Sequence, residues 1–271
     1  MKHDFKYPAS GMIDIELVGA GGTGSHVFAA LCDIAMTLPK VNDFHLNVRV
    51  WDGDTVSESN LGRQRFYPCD VGRNKAEVLV HRANAFLGLN FEAAPEPLSV
   101  KYGRLGAEYT PRIVIGCVDS AAARRIIADT SIGSNSYWLD CGNQQHTGQV
   151  ILGQPRSPSW KDAYGRLPTV MELFPALGDE AIEEAGGPSC SVAEAIARQD
   201  LFINRSVATA AGELLWALLR HGEINYHGRF LNTRLGTATK LKIDPQEWKR
   251  FGFKGPRKPP TRKPKKILVA V

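Results

Sequence analysis

Six residues near the start, Gly19-Ala20-Gly21-Gly22-Thr23-Gly24, constrain this 271-residue chain more than any other feature. They join a short apolar segment, residues 13–19 (IDIELVG), to residues 23–36, where Val27, Leu31 and Ile34 fall on one helical face. Glycine lets the backbone turn tightly and approach a ligand, and a helix N-terminus offers unpaired N–H groups to an anion. A G-x-G-x-x-G turn in this setting predicts the first phosphate-binding unit of a parallel α/β sheet, with Gly19, Gly21, Gly22 and Gly24 as contacts. Alone, it does not separate a nicotinamide dinucleotide from a nucleoside triphosphate.

The pattern downstream agrees with that class. Residues 46–52 (LNVRVWD) alternate and end in an acid, residues 72–86 read as a helix, and residues 112–117 (RIVIGC) read as a buried strand before a helix over 121–128. Two further strands are expected over 137–141 and 148–152. The fold expected is α/β, with a Rossmann-type, mainly parallel sheet and helices on both faces. Residues 153–188 carry five prolines and a Gly-Gly-Pro stop, so they read as a long loop with one turn near Glu180. A long Ala-rich helical region over 191–219, broken near Phe202, comes next. Strands over 224–231 and 237–243 extend the sheet in antiparallel fashion at its C-terminal side.

The stretch DGDTVSESNLGRQRFYPCDVGRNK, residues 52–75, narrows the ligand. Asp52 ends a strand where an acid can hold a ribose hydroxyl, which suits a dinucleotide and ATP alike. Asn60 and Arg63 stand three apart and would share a side in a helical turn. Lys75 opens the next helix. Three such groups converging suit a triphosphate better than a pyrophosphate bridge. Asp119 follows the strand at 112–117. An acid there faces the ligand crevice and can hold Mg²⁺ among phosphate oxygens and waters, or else cap the helix at Ala121.

Composition adds limits. The net charge is +5, yet nine Lys or Arg and no acid lie within residues 249–266, and without them 28 acidic residues outnumber 24 basic ones. The expected division is therefore a domain over 1–247 and a flexible, basic, Pro-rich tail over 248–271, with nucleic acid as a conceivable contact of residues 249–266. Five scattered cysteines without C-x-x-C argue against a disulfide framework or a structural zinc. No apolar run approaches the roughly 18 residues of a membrane helix, so the expectation is a cytoplasmic protein without a membrane contact.

GAGGTG, DGDTVSESNLGRQ, VGRNKAE and CVDSAAAR together resemble the ThiF/MoeB/ubiquitin-activating superfamily, also called HesA/MoeB/ThiF, over roughly residues 12–243. The resemblance implies a homodimeric adenylyltransferase. It would use Mg-ATP to adenylate the C-terminal carboxylate of a small ubiquitin-like or sulfur-carrier-like (β-grasp) protein. It further implies that Asp52 holds ribose, that Asn60, Arg63 and Lys75 hold phosphates, and that Asp119 binds magnesium. Asp54 and Gln64 belong to the same motif and join the nucleotide set. Cys190, in PSCS before the long helical region, would accept the activated acyl group; a helix N-terminus lowers a thiol pKa. Two departures stand out. The segment 169–172 (TVME) lacks the C-x-x-C that many members carry before LFP, so no zinc is expected, and no Arg precedes Arg49, leaving Lys2 or Lys6 as substitutes. PSCS and QDLFINRSVA look like the ThiF-like proteins of PRTRC cassettes. The alternatives are an enzyme of the tRNA threonylcarbamoyladenosine dehydratase kind and a non-catalytic partner-binding subunit.

Overall fold

The computed structural model describes residues 1–99, 112–130, 136–155, 166–178 and 199–253. In chain order the described elements are β1 (His3–Asp4), β2 (Met12–Val18), α1 (Gly22–Thr37), α2 (Pro39–Asn42), β3 (His45–Trp51), α3 (Lys75–Leu87), β4 (Glu92–Ala94), β5 (Arg112–Gly116) and α4 (Ala121–Thr130). Then come β6 (Ser136–Asn143), β7 (Thr147–Gly153), α5 (Val170–Leu173), α6 (Ile203–His221), β8 (Glu223–Ile224), β9 (Tyr226–Asn232), β10 (Thr237–Lys242) and α7 (Pro245–Arg250).

Eight strands form one sheet in the order β10-β9-β7-β6-β5-β2-β3-β4. From β4 to β6 every neighbour is parallel. Beyond β6 the pairings β6–β7, β7–β9 and β9–β10 are antiparallel. The parallel strands read as continuous apolar runs because helices cover them: Ile13, Ile15, Leu17, Ile113, Ile115 and Leu139 are all 1% exposed or less. The antiparallel hairpin turns at residues 144–146, a link too short for the crossover that a parallel neighbour needs.

Helix α1 packs against α6. The buried face of α6 repeats at Val207, Ala211, Leu214 and Leu218, and a Cβ on Gly212 would lie 3.1 Å from the Cβ of Ala30. Small side chains there let the two helices close up. Burying a residue such as Leu214 contributes about 2 kcal/mol. Helix α3 starts where the Asn74 side chain accepts from the Glu77 N–H, and stops at Gly88 with φ +67°. Helix α6 begins directly after Phe202; residues 191–198 of the expected helical region lie outside the described residues. The expected turn near Glu180 lies outside the described residues. Strand β4 and helices α2 and α7 are too short to leave a periodic signal.

Strand order reverses between β2 and β5. From there the chain winds outward through β3 and β4 on one side and through β6 on the other. In such sheets the crevice outside the carboxyl ends at this point is where ligands bind. Gly19 follows β2 and Asp119 lies just past β5, so both border it.

Candidate nucleotide-binding site

The four loop glycines have different local reasons. Gly19 has φ +90°, and a Cβ there would sit 2.6 Å from the Cys117 carbonyl oxygen. A Cβ on Gly24 would lie 1.9 Å from the Gly19 oxygen, and one on Gly22 would lie 2.7 Å from Asn204 Oδ1. Those three are required by packing. Gly21 has nothing within 4 Å of an added Cβ, so packing does not require a glycine there.

Asp52 is buried at the end of β3 and bridges that loop. Its Oδ2 accepts from the Ala20 N–H at 2.5 Å and its Oδ1 from the Asp54 N–H at 2.8 Å. Burial pushes the carboxyl pKa up, and the two backbone N–H groups and Lys75 oppose that shift. Each oxygen keeps a further lone pair for a hydroxyl.

Lys75 is the first residue of α3. Its side chain is 9% exposed, and its Nζ lies 2.8 Å from Asp54, whose side chain is 74% exposed. A solvent-facing carboxylate is a weak partner, so the ammonium is within reach of a competing phosphate.

Asn60 and Arg63 do not share a helix. Asn60 ends a single 3-10 turn, its Oδ1 accepting from the Ser57 N–H at 3.0 Å, and Arg63 follows Gly62 at φ +82°. Backbone contacts hold Arg63 instead: His26 Nε2 meets its carbonyl at 3.3 Å, and the Arg65 N–H donates to Ser25 Oγ at 3.1 Å. The guanidinium donates one hydrogen bond, from Nη1 to Gln199 Oε1 at 3.1 Å. Among the described residues its buried Nε has no partner, and neither has the buried Oε1 of Gln64. Burial lowers the Arg63 pKa; a guanidinium stays protonated even so. Arg63 is in no ion pair with a carboxylate of the described residues.

The carboxylate of Asp119 is exposed. The capping role falls to Ser120, whose Oγ accepts from the Ala123 N–H at 3.1 Å. Arg124 braces this strand end: it donates to the carbonyls of Val118 and Asp119 at 2.8 and 3.2 Å and to Asp140 Oδ1 at 3.2 Å. Burial raises the Asp140 pKa, and Arg124 opposes it. No group of three His, Cys, Asp or Glu suited to a metal occurs among the described residues. Magnesium shared between one carboxylate, phosphates and waters needs no such group, and the exposed Asp119 fits that donor set.

Cys190 lies outside the described residues, as does the tail from residue 254. Helix α7 occupies Pro245–Arg250, and its Trp248 is buried. Lys2, one of the two named substitutes for an N-terminal Arg, pairs with Glu223 at 2.5 Å. Sequence reasoning missed Ser25, His26, Asn143, Gln199 and Asn204. All are ordinary polar residues locally; only QDLFIN hinted that two of them belong together.

The fold and this crevice define a Rossmann-like α/β protein with a glycine loop at the point where strand order reverses. The ThiF family model matches residues 12–249, and the chain belongs to the ThiF family. Over 151 residues it is 29% identical to the adenylyltransferase and sulfurtransferase uba4 of Aspergillus clavatus, a match covering 52% of this chain and 27% of that protein. The chain thus spans about a quarter of that curated relative's length. Among solved structures it is similar to E. coli MccB with ATP (TM-score 0.55, 14% identity, 85% of this chain and 63% of that one). It is also similar to PaaA (TM-score 0.54, 15% identity, 85% and 64%). At these identities the likeness concerns the fold. No helix among the described residues is long and apolar enough to cross a membrane.

Proposed function

We propose that this chain uses ATP to adenylate the C-terminal carboxylate of a small carrier protein of the ubiquitin-like or sulfur-carrier-like kind. The observation that carries the reading is Arg63: a half-buried guanidinium beside the glycine loop that, among the described residues, contacts a neutral amide and no carboxylate and leaves its Nε unpartnered. Such a group is costly to bury unless an anion completes it. Lys75, held only by an exposed acid, supports the same reading. Family membership supports ATP-dependent activation, as do the uba4 name and the fold shared with an ATP-bound MccB.

In this reading the glycine loop and α1 N-terminus receive phosphate oxygens, Asp52 orients the ribose, and Asn60, Arg63 and Lys75 hold the triphosphate. Gln64 offers a buried amide oxygen beside them. Asp119 would hold Mg²⁺, which neutralises phosphate charge when bound. A carboxylate oxygen of the carrier bonds to the α-phosphorus, the bond to the β-bridging oxygen breaks, and pyrophosphate leaves with that electron pair. No general base is needed, because the carboxylate is ionised at pH 7. Catalysis then consists of alignment and neutralisation of developing charge. The Cys190 thiolate would then bond to the acyl carbon, the bond from that carbon to the AMP oxygen breaks, and AMP leaves with the electron pair as the thioester forms.

ATP–pyrophosphate exchange in the presence of candidate carrier proteins tests the reading. Carrier-dependent exchange supports it; binding of NAD in place of ATP overturns it. Cys190→Ala should keep exchange and lose a thiol-sensitive carrier adduct, detected by mass spectrometry.

A further inference from the structure

The segment QDLFIN, residues 199–204, belongs to neither the glycine turn nor the run from Asp52 to Lys75, yet it touches both. Asn204 is 1% exposed, on the first turn of α6. Its amide lies so close to Gly22 that any Cβ there would collide with it. Its Oδ1 accepts from Thr23 Oγ1 at 2.9 Å and from Asn143 Nδ2 at 3.3 Å. Its Nδ2 faces Gln199 Oε1 at 3.4 Å, and that same oxygen accepts from Arg63 Nη1 at 3.1 Å. A continuous line of neutral polar groups therefore runs from the first turn of α1 to the guanidinium.

The geometry points to a relay in which Asn204 and Gln199 fix Arg63 relative to the glycine loop through a neutral amide oxygen, leaving the full guanidinium charge for the ligand. This rests on the triphosphate reading above. Both residues are positioning residues, acting on phosphate through Arg63 and the loop. The chemistry explains the residue types. A carboxylate at position 199 would hold Arg63 as well or better, but as an ion pair. An incoming phosphate would then have to displace it and would also meet a like charge. At position 204 one side chain must accept from Thr23 and donate to Gln199. An amide does both without a buried charge, whereas Asp lacks the donor and Leu would leave Thr23 with Asn143 alone, at 3.0 Å, and break the line to Gln199.

The test is calorimetric titration of the full chain with MgATP, beside thermal melts, for wild type, Gln199→Glu and Asn204→Asp. Gln199→Glu should weaken MgATP binding at least about ten-fold while its melting temperature holds or rises, since the new carboxylate pairs with Arg63. A merely structural Gln199 would show the reverse: a lower melting temperature with unchanged affinity of the folded protein. Asn204→Asp should also lose affinity; should it fail to fold, Gln199→Glu decides alone. Wild type that binds MgATP beside a Gln199→Glu variant of equal affinity overturns the relay. Wild type that takes up no MgATP overturns the triphosphate reading itself.

Discussion

At the antiparallel end of the sheet, His227 on β9 has no exposed surface, and both its ring nitrogens are paired. Nδ1 donates to the Leu152 carbonyl at 2.8 Å, and Nε2 accepts from Trp248 Nε1 at 2.8 Å. At the parallel end, Arg63 Nε and Gln64 Oε1 are equally shielded and have no partner among the described residues. Both sites bury polar atoms, but of the two only the His227–Trp248 pair completes its hydrogen bonds internally among the described residues. An unmet buried hydrogen bond costs about 1–3 kcal/mol. Bearing that cost at the crevice is consistent with a site organised before its ligand arrives, while the His227–Trp248 pair serves to lock α7 onto the sheet.

Substitutions that touch one end should leave the other unaltered, and the largest expected effect is at the crevice. Arg63→Ala should lower ATP–pyrophosphate exchange by about 10²–10³-fold, with the far-UV spectrum and melting temperature near wild type. A variant that exchanges normally would remove the contrast. Next comes a split within the glycine loop. Gly24→Ala forces a Cβ to 1.9 Å from the Gly19 oxygen and should destabilise the protein by about 3 kcal/mol. Gly21→Ala meets no atom within 4 Å and should keep its denaturation midpoint while losing nucleotide affinity. Equal loss of stability in both would mean that packing alone explains the motif.

The third effect is pH dependence at the antiparallel end. Burial lowers the His227 pKa from 6.5 to about 4. Below about pH 6.5 the unfolded chain takes up a proton there that the fold excludes until about pH 4. Stability from this site is thus complete above 6.5 and declines as pH falls toward 4, by about 2 kcal/mol at pH 5. Burial lowers His26 to about 4 as well, so melts of wild type and His227→Gln between pH 7.5 and 5 isolate the site, and equal slopes in the two would contradict the neutral, doubly bonded imidazole. The smallest expected effect is Trp248→Phe, which removes the N–H that His227 Nε2 and the Lys242 carbonyl share, costs about 1 kcal/mol, and leaves nucleotide affinity unchanged by calorimetry.

Much of the parallel half was legible because its signals are local. A strand, a glycine turn and a helix follow one another within residues 12–37, and apolar spacing reports each. The order Asp52, Asn60, Arg63, Lys75 was legible too, since a motif is a local string. Its geometry was not: Asn60 and Arg63 sit in successive turns, not on one helix face. The capping role open to Asp119 went to its neighbour Ser120, a choice between adjacent residues that spacing cannot make.

Local patterns in the chain were enough to set the class of sheet, the place of the glycine turn within it and the cationic and amide residues proposed to meet a phosphate. Which of those residues are already engaged emerged from the packing of distant segments. Gln199 reaches Arg63 across 136 positions and Asn204 reaches Thr23 across 181. The physical reason is that periodicity records how a segment meets the core. Which polar atom meets which depends on how α1, β6 and α6 pack, and no local pattern encodes that.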